Sequence, residues 1–331
     1  MIATPYPWFK DAWVAIHQNP KLPHALLFKG RKGIGKRTFA MQFAKAYLCH
    51  TPLENNLACD TCSSCQWFPS SHPDFKYISP IENEEDDTLV KRKTMRKKNI
   101  LIHQIRELSE YCELSTHQEK GRRVVLIEPA DQLNENASNA LLKILEEPPE
   151  DTLFILVSSH VQKLIATIRS RCQLLELRGP TLDEASSFLK EQGITESDNL
   201  LTFTGGSPFG VIDLEETQSD KEAIVTLLAQ GHQIDVTKIS YVLLTQGFDW
   251  TLNIIQKWIF DLLLHVHTNQ GYYFKKEMAR INSLAQRLNV EHLLSFSNEL
   301  NDLKKIASHP INQELQLQNI FIKYKQIFEH S

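Results

Sequence analysis

The sequence lacks both a secretion signal and a segment that could span a membrane. Residues 1–8 carry no positive charge and no apolar run, which is unlike the start of a secreted protein. The most apolar late stretch, residues 254–266, contains Lys257 and Asp261 and is too short to cross a bilayer of about 30 Å. We therefore expect a cytoplasmic protein with no membrane partner, whose cysteines are reduced.

A large excess of charge of either sign is also missing. The chain has 36 Lys and Arg against 40 Asp and Glu, and its formal net charge is -4. This balance argues against a generally basic nucleic-acid binder, although it leaves room for a local basic face. In residues 82–98 an acidic run precedes a basic run. A solvated loop is the simpler interpretation of these residues, and a basic finger that contacts DNA phosphates is the alternative.

The order of apolar segments predicts a parallel sheet followed by a helical region. With 331 residues, of which 42% are apolar, the chain can form two or three domains. Strand-like runs alternate with helical patterns in the first half, as in a sheet covered on both faces. The strands are predicted at residues 24–28, 124–127, 153–157 and 173–177. Helices are predicted at residues 38–48, 136–147, 181–191, 196–204, 250–267, 275–288, 290–308 and 312–329.

A sequence typical of a phosphate loop follows the first predicted strand and opens a helix. Its glycines would let backbone N–H groups converge on phosphate oxygens, and its lysine would reach the terminal phosphates. These positions are Gly30, Gly33, Gly35 and Lys36. The next position, normally a Ser or Thr that binds magnesium, is Arg37. Thr38 lies about 100° further round the helix and cannot simply substitute. A glycine turn without a ligand is the alternative, and the occupancy of the loop by ATP or ADP is left open.

The second half of an ATPase site is also altered. An apolar strand should end in Asp-Glu, because the Asp helps to hold magnesium and the Glu positions the attacking water. Here the strand at residues 124–127 is followed by Glu128 and Pro129. Glu128 could serve as a carboxylate, but Pro129 cannot act as a base. Two independent departures argue against ATP hydrolysis at this site.

Four of the six cysteines are closely spaced and predict a structural zinc site, because zinc favours four soft ligands in a tetrahedron. These four are Cys49, Cys59, Cys62 and Cys65. No ligand position is left open for catalysis. His50 and His72 are rival ligands, although His72 is read more simply as part of a turn. An iron–sulfur cluster would use similar thiols with different spacing. Cys112 and Cys172 stand alone and are expected to be small buried residues.

A single arginine, Arg171, follows a predicted helix end and precedes the fourth strand. A planar, permanently charged guanidinium at a domain edge can point into a partner's nucleotide and stabilise charge on the transferred phosphoryl group. From its spacing alone, an ordinary surface salt bridge is the simpler interpretation.

Several segments together resemble the clamp-loader group of AAA+ proteins. The sequence of residues 139–149 and the later Ser-Arg-Cys at 170–172 carry this resemblance. The four-cysteine insertion narrows it to the gamma/tau and delta-prime subunits of bacterial DNA polymerase III. Gamma/tau retains an intact phosphate loop and an Asp-Glu pair, so the chain is more similar to the delta-prime family. Two further segments support the similarity to the delta-prime family. They are residues 206–210, with Phe209 where an active subunit carries a sensor-2 arginine, and residues 309–315.

The resemblance implies a RecA-like AAA+ core at 1–179 with a zinc module at 49–65, a small helical lid at 180–213 and a helical collar for oligomerisation at 214–331. It also implies that Arg171 acts as an arginine finger in trans in a subunit that does not hydrolyse ATP. The implied partners are the gamma/tau and delta subunits, with the sliding clamp and primed DNA reached through the complex. A gamma/tau-like active ATPase and a metal-stabilised DNA-binding module are the alternatives.

Overall fold

A computed structural model describes most of the chain, and the description covers residues 5–18, 22–80, 99–113, 116, 121–195, 197–236, 246–306 and 312–328. The charged segment 82–98, predicted as a solvated loop or a basic finger, lies outside these residues. Within the described ranges, every helix is too short or too polar to cross a bilayer.

Five parallel strands form one sheet, in the order β2-β3-β4-β1-β5. They are β1 (Ala25–Lys29), β2 (Phe75–Ile78), β3 (Arg123–Ile127), β4 (Thr152–Ser158) and β5 (Gln173–Glu176). All residues of β3 and β4 are buried, as expected for inner strands of a parallel sheet with both faces covered. The edge strand β5 is mostly exposed.

Helices follow the strands in the first part of the chain and account for most of the second part. They are α1 (Lys10–Gln18), α2 (Lys36–Leu48), α3 (Ser63–Trp67), α4 (Ile102–Glu113), α5 (Glu135–Glu146), α6 (Ala166–Arg171) and α7 (Leu182–Glu191). The remaining helices are α8 (Ser197–Thr204), α9 (Pro208–Glu216), α10 (Gln218–Leu228), α11 (Phe248–Thr268), α12 (Met278–Ala285), α13 (Val290–Ile306) and α14 (Gln313–Gln326).

The chain divides into two compact units. The first contains residues 1–193 and 206–210, and the second contains residues 194–205 and 211–331. In the first unit, alternate strand residues point to opposite faces of the sheet and enter two separate apolar clusters. Leu26 and Phe28 of β1 join the cluster that includes α2, whereas Leu27 joins the cluster that includes α5 and α6.

The second unit has its own apolar core, to which α11 and α14 contribute. At its centre the Trp258 indole donates a hydrogen bond to the Tyr324 hydroxyl at 3.0 Å. That hydroxyl donates in turn to the Leu228 carbonyl at 2.8 Å. A buried tryptophan and a buried tyrosine thereby satisfy their polar atoms inside an otherwise apolar helical core.

The predicted class, α/β plus all-α with a parallel-sheet core and a helical C-terminal part, is confirmed. The finer assignment of the core as RecA-like AAA+ stays a prediction. All four predicted strands are present, with ends shifted by at most about one residue. The prediction missed strand β2 and helices α1, α3, α4 and α9, and it gave no bounds for α10. The helix predicted at residues 275–288 is a short 3₁₀ turn (Lys275–Glu277) followed by α12. The lid and collar boundaries stay a prediction.

Candidate functional site

The four predicted zinc ligands come together in one cluster. The sulfur atoms of Cys49, Cys59, Cys62 and Cys65 all lie within 4.8 Å of one another. The Sγ–Sγ distance is 3.9 Å for Cys49 and Cys62 and also 3.9 Å for Cys59 and Cys65. Tetrahedral Zn–S bonds of about 2.3 Å place the sulfurs about 3.8 Å apart, so this geometry fits a zinc ion. It is the one such cluster among the described residues.

Local backbone structure positions these sulfurs. Cys49 directly follows α2, Cys62 directly precedes α3, and Cys65 lies within α3. The Cys59 N–H donates to the Cys49 sulfur at 3.4 Å, and the Cys62 N–H donates to the Cys59 sulfur at 3.3 Å. Asp60 turns the chain between them with a φ of 60°. Because N–H donors favour thiolate over thiol, the turn prepares the sulfurs to bind a cation.

The thiols differ in acidity before any metal is considered. Hydrogen bonds from Thr51 and Thr61 lower the pKa of Cys59 to about 5. Burial raises the pKa of Cys65 and of Cys49. A divalent cation bound by all four sulfurs would hold them as thiolates and offset this burial. The set of four leaves no open coordination position, so a zinc ion here would stabilise the fold rather than perform catalysis.

His72, a rival ligand in the sequence, is instead hydrogen bonded to residues beside the cluster. The Asp74 N–H donates to Nδ1 of this buried histidine at 3.1 Å, so the ring proton lies on Nε2. Nε2 is 2.9 Å from the Ser64 hydroxyl, which donates to the Leu48 carbonyl at 2.8 Å. Ser64 and Leu48 each adjoin a cysteine of the cluster. Both ring nitrogens of His72 are thus used in hydrogen bonds, and the one at Nε2 reaches Ser64, which connects α3 with the end of α2.

The phosphate loop has the backbone that its glycines predict. Gly33 and Gly35 have φ values of 75° and 90°, a region that side chains disfavour. A Cβ atom at Gly30 would come within 2.8 Å of the Leu177 carbonyl oxygen. At Gly35 it would come within 2.7 Å of the Tyr6 ring. The glycines therefore allow the loop backbone to lie close to Leu177 and Tyr6.

The segment at residues 206–210, predicted from the resemblance to be the sensor-2 region, is hydrogen bonded to this loop. The Ser207 hydroxyl donates to the Gly33 carbonyl at 2.9 Å, and the Phe209 N–H donates to the same oxygen at 3.2 Å. A Cβ atom at Gly33 would collide with the Ser207 hydroxyl oxygen. Phe209, which the resemblance predicts to replace a sensor-2 arginine, contributes an aromatic ring in contact with Tyr6.

Lys36, the phosphate-loop lysine, is almost fully buried, with 7% of its surface exposed. Its ammonium group donates to the Arg31 carbonyl at 2.7 Å and to the Ser159 hydroxyl at 2.8 Å. Burial lowers its pKa to about 8, and the carboxylates of Glu128 and Asp131 partly oppose that shift. The lysine is therefore held at the start of α2 by partners within the chain.

Arg37 brings a cation to the position at which a phosphate loop normally offers a magnesium-binding hydroxyl. Its Nε lies 3.8 Å from Oε2 of Glu128, and its guanidinium carbon lies 5.1 Å from the centre of the Tyr77 ring. The Tyr77 hydroxyl donates to the same carboxylate oxygen at 2.9 Å. Burial, reinforced by Glu128, raises the pKa of Tyr77 to about 12. The Glu128 carboxylate, directly after β3, thus pairs with the Arg37 guanidinium and accepts a hydrogen bond from the Tyr77 hydroxyl.

An aromatic cluster closes one side of the loop. Tyr6 and Trp8 are stacked with ring centres 4.9 Å apart, and the Trp8 indole donates to the Ile34 carbonyl at 2.9 Å. Tyr6 also hydrogen bonds with Thr38, the hydroxyl displaced by one position in the sequence. Thr38 consequently has a partner on the aromatic cluster, and its inability to replace the missing Ser or Thr stays a prediction.

Arg171 is the last residue of α6, and 34% of its side chain is exposed. Nη2 donates to Oε1 of Glu146 at 2.7 Å, and Nη1 donates to the Thr167 carbonyl at 3.0 Å. The next residue, Cys172, is buried, and Leu174 in the edge strand β5 is 52% exposed. Arg171 therefore lies at a surface of the first unit, between a buried anchor and an exposed apolar side chain.

Sequence reasoning found the cysteines, the loop, Glu128 and Arg171, but it missed the residues that pair with them. The missed partners are Tyr6, Tyr77, Ser159, Ser207 and Glu146. Glu146 lies within the family-like segment 139–149, so its position in the sequence could have drawn attention to it. Tyr77 lies in a short edge strand that no pattern had indicated.

Comparison with known proteins agrees with these features. A family model described as "DNA polymerase III, delta subunit" matches residues 7–181. "DNA polymerase III subunit delta'" of Pseudomonas aeruginosa is 34% identical over 76% of this chain and 77% of its own length. The Escherichia coli protein of the same name is 31% identical over 63% of this chain and 60% of its own length.

A DNA polymerase III gamma subunit-related protein from Thermotoga maritima is a more distant structural neighbour. It is 16% identical, with a TM-score of 0.43, and the match covers 97% of this chain and 100% of that chain. That overall similarity is too weak to add to the assignment. The family match, which covers more than half of the chain, and the Pseudomonas relative are sufficient: the chain belongs to the DNA polymerase III subunit delta' family.

Proposed function

We propose that this subunit acts as an ATPase-inactive stator of the DNA polymerase III clamp loader and supplies Arg171 to the nucleotide of a neighbouring gamma/tau subunit. The observation that carries the proposal is the Arg37–Glu128 pair. A guanidinium takes the position of the magnesium-binding hydroxyl and neutralises the carboxylate at the end of β3. Pro129, the next residue, cannot position an attacking water.

Arg171 supports the other half of the proposal. Its side chain is partly exposed, and it is attached to a helix that buries Ile168. Arginine fingers act by stabilising charge on the phosphoryl group during transfer, without a base of their own. The exposed Leu174 close by gives this surface apolar character suited to a protein neighbour.

The remaining parts have supporting roles. A zinc ion bound by the four cysteines would hold the segment between α2 and the following strand β2 in a fixed shape. The proposed direct partners are the gamma/tau and delta subunits, and the sliding clamp and primed DNA are reached through the complex. Loading of the clamp in the cytoplasm would depend on ATP bound by the neighbouring subunits, with this chain as a comparatively rigid member of the ring.

Reconstitution with gamma/tau and delta tests the proposal. We expect Arg171→Ala to leave assembly intact and to lower DNA-stimulated ATP turnover by about tenfold or more. An arginine finger contributes about 10³ to 10⁵ in kcat at its own site, and sites served by other arginines would dilute the effect. Arg169→Ala is the matched control, because Arg169 is an exposed arginine on the same helix.

Three outcomes would contradict the proposal. Unchanged turnover with Arg171→Ala would remove the finger role. Magnesium-dependent ATP turnover by the purified chain alone, lost in Lys36→Met, would show an active ATPase. Salt-dependent DNA binding by the isolated chain without affinity for gamma/tau would instead favour a DNA-binding module.

A further inference from the structure

Glu146 holds the guanidinium of Arg171 from a different helix. The carboxylate accepts a hydrogen bond from Nη2 at 2.7 Å, while the Thr167 carbonyl accepts one from Nη1 at 3.0 Å. Two acceptors on two different nitrogens fix the plane of the guanidinium as well as its position. We propose that Glu146 is a positioning residue that orients Arg171 for the neighbouring subunit's nucleotide, an inference that rests on the proposed role of Arg171 in trans.

The two partners are attached to a common base. Glu146 is the last residue of α5, and Arg171 is the last residue of α6. α5 contributes the buried Leu145 and α6 the buried Ile168 to the same apolar cluster. The sequence after Glu146 reaches Pro148, which cannot continue the helix. Both ends of the ion pair are therefore carried by packed helices rather than by loops.

A contribution to folding stability does not explain why Arg171 is paired with Glu146. The side chains of Arg171 and Glu146 are 34% and 45% exposed, and surface ion pairs of this kind contribute little to folding. Orientation is a better explanation, because an arginine side chain has many rotamers and loses much freedom when it is ordered. If Glu146 orders Arg171 in advance, less of that cost falls on the transition state for phosphoryl transfer.

The pair also leaves Arg171 able to act. A guanidinium has five N–H donors. Glu146 accepts from Nη2, whereas the Thr167 carbonyl and, at 3.5 Å, the Ser170 hydroxyl accept from Nη1. The Nε–H and the second hydrogen of Nη2 remain available for phosphoryl oxygens. Glu146 can therefore stay bound while Arg171 works, which distinguishes an orienting partner from one that must first release the arginine.

The test measures kcat and KM for ATP of the DNA-stimulated complex reconstituted with Glu146 variants. We expect Glu146→Ala to lower kcat about fivefold with KM unchanged, because only the orientation of the arginine is lost. Glu146→Gln keeps a carbonyl oxygen at the same reach and should stay within about twofold of the parent. Glu147→Ala is the matched control, since Glu147 is the adjacent exposed glutamate.

A double variant separates this inference from the proposed function. In Arg171→Ala/Glu146→Ala, kcat should equal that of Arg171→Ala alone, because Glu146 acts only through the arginine. If Arg171→Ala lowers kcat while Glu146→Ala leaves it unchanged or raises it, the positioning role is wrong and the finger role survives. Equal losses in Glu146→Ala and Glu146→Gln, or failure of Glu146→Ala to assemble, would also overturn it. No effect of Arg171→Ala would instead reject the proposed function itself.

Discussion

The cysteine cluster and the phosphate loop lie in the same compact unit, yet they differ in how their polar groups are satisfied. The four sulfurs converge within 4.8 Å and accept hydrogen bonds from the N–H groups of Cys59 and Cys62 and, at Cys59, from Thr51 and Thr61. By contrast, Lys36 of the phosphate loop and the neighbouring Glu128 have partners within the chain. Lys36 has the Arg31 carbonyl and Ser159, and Glu128 has Arg37.

A sequence motif can therefore be present while its charged groups are already paired within the chain. Four clustered thiolates repel one another unless a cation lies between them, so the cysteine geometry is useful only with a metal. In the phosphate loop, Arg37 supplies positive charge beside the Glu128 carboxylate, and the Lys36 ammonium group donates two hydrogen bonds within the chain. The same unit thus holds one cluster suited to a metal ion and one loop whose charged groups already have partners within the chain.

The largest expected effect concerns the metal. Replacing Cys62 and Cys65 by serine should abolish zinc binding and lower the free energy of unfolding by about 3 kcal/mol or more, because structural zinc contributes directly to folding. Metal content by mass spectrometry and unfolding in urea measure the two effects. Cys112→Ala is the control, since Cys112 is a buried cysteine outside the cluster and its variant should keep the zinc. A parent protein purified without zinc, and insensitive to chelators, would contradict the comparison.

A smaller effect should appear in the pH dependence of stability, through Lys36. Burial lowers its pKa from 10.5 to about 8, so between these values the unfolded chain binds more protons than the folded one. Stability of the parent should therefore rise with pH relative to Lys36→Met, by about 1–2 kcal/mol between pH 7.5 and 9.5.

Urea unfolding at several pH values tests this, with Lys190→Met, an exposed lysine in α7, as the control. The control should follow the parent across the whole range. Parallel stability curves for the parent and Lys36→Met would show that the loop does not hold its lysine under a burial penalty, which would weaken the contrast with the cysteine cluster.

The sequence predicted those parts of the fold that depend on local pattern. The apolar runs of β1, β3 and β4 and the long helices α11, α13 and α14 were recognisable, because buried strands and amphipathic helices leave strong periodic signals. Strand β2 was not, since it is a four-residue edge strand with a half-buried centre. Short edge elements are determined by the neighbour they pair with, here β3, and not by their own sequence.

The functional residues show the same contrast between features set by local sequence and features set by tertiary pairing. The cysteine spacing was sufficient because its ligands are close in the chain and their chemistry is specific. The replacement of a magnesium site could be predicted only as a defect at Arg37, since Tyr77 lies 51 residues before the carboxylate it contacts. Glu146 lies 25 residues before Arg171 and meets it only because α5 and α6 pack together. Pairings of this kind arise from tertiary structure and leave no periodic trace.

The smallest expected effect is the response to nucleotide. To bind ATP, the loop must exchange the Lys36 contacts with Arg31 and Ser159, and magnesium must compete with Arg37 for Glu128. We therefore expect 1 mM Mg-ATP to raise the melting temperature by less than about 1 °C, as for a ligand whose Kd is near or above that concentration. Arg37→Thr restores a hydroxyl and frees the carboxylate, so its response to ATP should be larger with magnesium than with EDTA. A rise of several degrees in the parent, lost in Lys36→Met, would instead mean that the phosphate loop resembles the cysteine cluster and still requires its ligand.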